Sequence, residues 1–179
     1  YGSVEPFLAR AQNTQQGFHP EARDLPKIAE ICRRLEGIPL AIELAANRLK
    51  ALTVSQIVQR LDEQFALLSS GDRSAPPRHH TMEAVVEWSY NLLEPDEKTL
   101  LQDISVFRGG FTLEAAVAVS GHTDEWDTIE CIASLVDKSL IVTETSLDGS
   151  PRYGQLESIH AFANSKLRGT DRYDEINEA

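Results

Sequence analysis

Apolar residues recur at helical spacing through the first 68 positions of the chain. Val4, Phe7, Leu8 and Ala11 share one face and predict a short helix over Ser3 to Ala11, with Pro6 tolerable because it lies in the first turn. Asn13 to Pro20 reads as a loop. Leu25, Ile28, Ala29, Cys32 and Leu35 mark a second helix, opened by Asp24 and Pro26. Gly37 then closes it by taking the left-handed conformation, and Pro39 sits at the first position of a third helix. That helix opens Leu40-Ala-Ile-Glu-Leu-Ala-Ala46, apolar on nearly every side, and is expected to be buried all round. Thr53-Val-Ser-Gln56 is a capping box for a fourth helix with Val54, Ile57, Val58, Leu61, Phe65 and Leu68 along one stripe.

Ser69 to His80 has no apolar periodicity and is rich in Ser and Pro, so it reads as a linker and a candidate hinge. Beyond it Thr81 is placed to cap a helix carrying Met82, Val85, Val86 and Leu93. Pro95 starts the next helix, which ends at Gly109-Gly110. Thr112 caps a short one and Asp124 a longer one ending near Asp137. The run Ser139 to Glu144, the Asp148-Gly149 turn signal and Arg152 to Leu156 predict a β-hairpin. A helix with Ile159, Phe162, Ala163 and Leu167 follows, and the polar end from Gly169 should fray. The expected fold is mainly α: a four-helix bundle over 1–68, a linker over 69–80, and a winged-helix domain over 81–179 with one hairpin. Asp124–Asp137 stands at the recognition-helix position.

Charge changes this picture. The net charge is −11. Residues 1–77 balance nine Lys/Arg against nine Asp/Glu, whereas 78–179 set eight against nineteen. Affinity for DNA comes mostly from cations that neutralise phosphates. The candidate recognition helix carries five carboxylates and no Arg or Lys before Lys138, and the hairpin offers Arg152 against Glu144 and Asp148. Such a face repels a duplex, so the expectation is no direct contact with nucleic acid. No apolar run is long enough to span a membrane. Cys32 and Cys131 lack ligand spacing and read as reduced core thiols of a cytoplasmic protein; His79 and His80 have no nearby third metal ligand. No phosphate-binding Gly-x-x-x-x-Gly-Lys-Ser/Thr, nucleophile elbow or His-Glu-x-x-His occurs, so the chain is not expected to be an enzyme. Tyr1 is not an initiator Met, which suggests a piece of a longer protein.

Several motifs carry a resemblance: Glu30-Ile-Cys-Arg-Arg-Leu-Glu-Gly-Ile-Pro-Leu-Ala-Ile-Glu-Leu-Ala-Ala46, Arg60-Leu-Asp62, Arg78-His-His-Thr81, Glu87-Trp-Ser-Tyr90, Ser105-Val-Phe-Arg-Gly-Gly-Phe111 and Leu135-Val-Asp-Lys-Ser-Leu140. Together they resemble the signal-transducing ATPases with numerous domains (STAND), of NB-ARC type. The nearest look-alikes are bacterial transcription regulators of the LuxR and antibiotic-regulator types. The resemblance covers roughly residues 3–168. It implies the helical and winged-helix parts of an ATP/ADP-dependent switch, with the P-loop ATPase domain elsewhere in the same polypeptide as partner. It leaves room for a homo-oligomer in the active state, and no cofactor is expected on this segment alone. By that resemblance Gly37 and Pro39, with Leu40 beside them, would pack against adenine. The family's Met-His-Asp motif matches Gln155, Leu156 and Glu157, where Leu156 lacks the imidazole and Glu157 keeps the carboxylate. The alternatives are a winged-helix factor that reads DNA through another face and an acidic module that docks a basic partner.

Overall fold

The computed structural model describes residues 3–15, 17–68, 77–121, 124–145 and 149–177. Its contacts divide the chain into two units, Tyr1–Asn91 and Leu92–Ala179. Among the described residues no helix is long and apolar enough to cross a membrane.

The first unit holds α1 (Val4–Thr14), α2 (Leu25–Arg34), α3 (Pro39–Asn47), α4 (Val54–Leu68) and α5 (Pro77–Asn91), with a 3-10 turn at Arg48–Lys50. The helix α3 is central: Ala41, Ile42, Leu44, Ala45 and Ala46 are all buried, as a helix without a polar face requires. It packs on α1 and α5, and α4 packs on α2 and α5. Phe7 and Ala11 of α1, Ile28 and Ile31 of α2, and Ile57 and Leu61 of α4 complete the core. Asn47 ties α3 to α1 by accepting from Arg10 Nε at 2.8 Å and Thr14 Oγ1 at 2.9 Å. The Thr53 capping box forms reciprocally: Gln56 N–H donates to Thr53 Oγ1 at 3.3 Å, and Thr53 N–H donates to Gln56 Oε1 at 2.9 Å.

The contact boundary falls at 91/92, not within the linker expected over 69–80. Residues 69–76 of that linker lie outside the described residues, and the helix α5 already begins at Pro77. Thr81, expected as a cap, lies inside α5, where it is buried and donates to Glu36 Oε1 at 3.3 Å. The stretch 81–91 therefore joins the first unit, with Ala84, Val85, Val86 and Trp88 in its core.

The second unit is built on α6 (Pro95–Asp103), which packs on α7 (Leu113–Ser120), α8 (Glu125–Asp137) and α9 (Glu157–Arg168). Strands β1 (Val142–Thr145) and β2 (Pro151–Gly154) form an antiparallel hairpin in which Thr143 faces Tyr153. Phe111 adds a one-residue third strand: its N–H donates to Tyr153 O at 2.8 Å and its carbonyl accepts from Tyr153 N–H at 2.9 Å. Gly110 permits this approach, because a Cβ there would stand 2.9 Å from the Tyr153 carbonyl and its φ is +94°. The order helix, short strand, helix, helix, hairpin is that of a winged helix. The polar end does not simply fray: α10 (Arg172–Asn177) packs on α9, buries Ile176, and sends Arg172 to the fully buried Asp103 at 2.5 Å.

Glu97 joins α6 to α8. It is 6% exposed, accepts from Ser134 Oγ at 2.5 Å, and pairs with Lys138. Its other oxygen accepts the Glu94 N–H at 2.8 Å and so caps α6. Burial pushes the carboxyl upward, and the bonds from Lys138, Ser134 and the Glu94 backbone outweigh it, leaving its pKa below the ordinary value. A depressed carboxylate stabilises the fold above its unfolded pKa, and that contribution is lost as pH falls through the folded value. Glu97→Gln should therefore lower unfolding free energy by ~1–3 kcal/mol at neutral pH. Urea melts between neutrality and the acid range should fall less steeply with acid in the variant. Parallel pH dependence in both proteins would show that Glu97 is not the group responsible.

Candidate functional site

The corner between α2 and α3 is set by two successive left-handed residues, Glu36 at φ +52° and Gly37 at φ +68°. Gly37 N–H donates to Cys32 O at 3.1 Å, Glu36 N–H to Arg33 O at 3.1 Å, and Ile38 N–H to Leu35 O at 2.9 Å, which uses up carbonyls at the end of α2. Pro39 is exposed at the first turn of α3, where its missing N–H removes a donor that would have no intrahelical partner. Leu40 is half-buried. Beside the corner lies an open, mainly apolar cavity of about 580 Å³ lined by Ser3, Val4, Leu25, Ala29, Cys32, Arg33 and Gly37. The Cys32 thiol points into this region, donates to Ser3 O at 3.2 Å, and is pushed up to about 11 by burial. It is therefore a neutral, unreactive core thiol. The left-handed Glu36 was not foreseeable; only Gly37 signalled such a backbone.

Glu157 lies in the other unit. It is exposed at the first turn of α9, where a carboxylate is favoured by the helix dipole. Of its neighbours, Gln155 donates from Nε2 to Leu101 O at 3.0 Å and is a strut to α6, while Leu156 is exposed. Gly37, Pro39 and Leu40 are thus one corner of the first unit, and Glu157 belongs to the second.

Glu157 borders a groove of about 690 Å³ under the hairpin, together with Arg108, Glu144, Arg152 and His160. One wall is an aromatic ladder, with Phe107 stacked on Phe111 at 5.7 Å and Phe111 on Tyr153 at 5.8 Å between ring centres. Arg152 is held against this wall by donating from NH2 to Gly110 O at 3.1 Å, and Arg108 is exposed. These two arginines flank the winged hairpin. Sequence reasoning counted Arg152 but not Arg108, which lines the same groove where Phe111 bridges to Tyr153.

The helix-turn-helix element is α7 and α8. Thr112 caps α7 by accepting the Ala115 N–H at 3.3 Å, and Asp124 caps α8 by accepting the Trp126 N–H at 3.0 Å. Buried Ser120 and Thr128 hydroxyls meet at 3.0 Å and fix the two helices to each other. Along α8 the exposed residues are Glu125, Trp126, Asp127, Glu130, Ala133 and Asp137. Among the described residues no group of three or more His, Cys, Asp and Glu is arranged to hold a metal.

The corner makes a testable distinction. A Cβ on Gly37 would lie 3.0 Å from Ser3 Oγ on a backbone at φ +68°. Gly37→Ala should cost ~1–2 kcal/mol of stability. Pro39→Ala, at an exposed position, should cost no more than ~1 kcal/mol. Equilibrium urea unfolding measures both; equal and negligible losses would mean that Gly37 is not held left-handed.

Residues 93–168 match the winged helix-turn-helix domain family. Over 174 residues, 96% of this chain, there is 39% identity to a Mycobacterium tuberculosis protein provisionally named as an HTH-type transcriptional regulator, of which the chain spans 20%. A second M. tuberculosis protein, uncharacterised, is 36% identical over 177 residues, 97% of the chain and 45% of that protein. The regulatory protein AfsR of Streptomyces coelicolor is 33% identical over 132 residues, 70% of the chain and 12% of its own length. The chain therefore spans between an eighth and a half of these relatives. These findings overturn the expectation of no direct contact with nucleic acid: a winged helix-turn-helix match and a relative named for that motif point to DNA. The expectation weighed the carboxylates of α8 and the single Arg152 of the hairpin and did not count Arg108, which lines the groove under the hairpin. Residues 93–168 thus have the winged-helix fold and match the winged helix-turn-helix family, and the chain is similar over most of its length to a segment of a protein named as an HTH-type transcriptional regulator.

Proposed function

We propose that this chain is the winged helix-turn-helix segment of a transcription regulator and that the domain contacts DNA from its hairpin side. The observation that carries the reading is the winged helix-turn-helix match over residues 93–168, realised in the order α6, α7, α8, hairpin. Phosphate contacts need cations, and Arg108 and Arg152 both line the groove under the hairpin, beside Glu144 and Glu157. Two arginines on phosphates give log K a slope of about −2 against log salt. Fluorescence anisotropy with duplex DNA over a salt series should return a shallow slope of that size. Arg108→Ala and Arg152→Ala should each reduce it by about one. Absence of binding at low salt, or an affinity indifferent to both substitutions, would refute the hairpin-side contact.

A second reading is favoured by the α2–α3 corner: the segment senses nucleotide for an ATP- or ADP-dependent switch in the parent protein. Its support is a left-handed Gly37 next to an exposed Pro39 and an open apolar cavity, a surface suited to a flat ring. Pro39 and Leu40 would pack on adenine, Gly37 would set the corner, and Glu157 would sense the state from the winged-helix side. In the full-length protein Pro39→Ala should weaken ADP binding modestly, by ~0.5–1.5 kcal/mol. Calorimetry showing unchanged ADP affinity with an intact fold would remove this reading and leave the DNA reading untouched.

A further inference from the structure

We propose that the exposed face of α8 is a docking surface for a basic protein partner, a helix or arm presenting arginine and lysine. Trp126, Glu130, Ala133 and Asp137 are all exposed and fall at i, i+4, i+7 and i+11. They form one stripe about 16 Å long on the side of α8 away from Ile132 and Leu135, which are buried. Trp126 is 69% exposed, more than any other large apolar side chain among the described residues, and no ring or cation there packs on its indole. Its backbone N–H is bound to the Asp124 cap, so the residue stands on a fixed first turn of the helix.

The chemistry around the indole selects the occupant. Glu130 follows it one turn on along the same stripe, Asp124, Glu125 and Asp127 adjoin it in the first turn, and the nearest basic residue in sequence, Lys138, is drawn inward onto Glu97. An exposed indole with a carboxylate one turn away is complementary to a guanidinium, which can stack on the indole and pair with that carboxylate at once. Ala133 keeps the middle of the stripe low, so a partner helix can approach the backbone between Glu130 and Asp137. A polyanion fits none of these features. Tryptophan and arginine are also the residues that dominate interface energetics, and surrounding charges of one sign speed the encounter. The inference goes beyond the DNA reading and does not depend on it, since that reading uses Arg108 and Arg152 and no side chain of α8.

The test uses the whole chain and a labelled alanine-based helical peptide with arginines spaced i, i+4 and i+7, together with a counterpart carrying glutamate in their place. The arginine peptide should bind by anisotropy, more weakly as salt rises, and should shield Trp126 from acrylamide quenching; Trp88 is buried and contributes little to that signal. Trp126→Ala and Glu130→Lys, both at exposed positions, should each weaken binding about tenfold or more while thermal melts stay unchanged. Arg108→Ala and Arg152→Ala should leave peptide binding intact, which keeps this outcome separate from success or failure on DNA. No binding at millimolar peptide, equal binding to both peptides, indifference to Trp126→Ala and Glu130→Lys, or shielding of Trp126 by duplex DNA would each overturn the proposal.

Discussion

A buried carboxylate at the start of α6 organises the winged-helix unit. Glu97 caps its own helix through Glu94 N–H and reaches Ser134 and Lys138 near the end of α8. A charge taken out of water is tolerable only when its lone pairs are satisfied, and here both oxygens are. The cluster therefore sets the position of α8 against α6 more strictly than Leu100, Leu101, Ile132 and Leu135 could by apolar contact alone. It also determines what α8 shows to solvent. By drawing Lys138 inward, it leaves the outer face of that helix to an indole and carboxylates. The hairpin side sets Arg108 and Arg152 among Glu144 and Glu157, and one small domain thereby offers chemically distinct faces.

In the first unit the comparable constraint is steric. The two left-handed residues Glu36 and Gly37 turn the chain sharply enough for α3 to enter the core directly after α2. Because α3 has almost no polar face, its neighbours must cover it on several sides, and α1 and α5 pack directly against it. That demand explains why α5 belongs here and not with the winged helix it precedes in the chain. Its apolar residues are Ala84, Val85, Val86 and Trp88, a cluster with no single helical stripe.

Much of this was legible in the residues themselves. The Gly37–Pro39 corner, the Thr53 box, the caps at Thr112 and Asp124, the buried α3 and the hairpin follow from backbone chemistry acting over a few positions. The start of α5 was not legible, because Pro76-Pro77 and the polar run before it look like linker, and burial of Thr81 depends on Glu36, 45 residues away. The helix α10 was missed for the same kind of reason: its anchor is a pair 69 residues apart. Phe111 pairs with Tyr153 as a single residue, too short to leave a periodic signal. The candidate site divides likewise. Gly37 and Pro39 announce themselves, whereas Arg108 lines the same groove as Arg152 where that bridge forms. The expectation about DNA looked at α8 and the hairpin alone and so passed over Arg108, which the fold brings to the hairpin groove from a distant part of the chain.

The anchoring of α10 bears on where this domain ends. The match to the winged helix-turn-helix family ends at residue 168, yet Asp103, the last residue of α6, has no exposed surface and holds Arg172, four positions beyond that end. A cut at residue 168 would take that arginine away from the interior carboxylate. The electrostatic boundary of the folding unit thus lies beyond the end of the family match, in a segment that supplies an arginine to the interior of the domain.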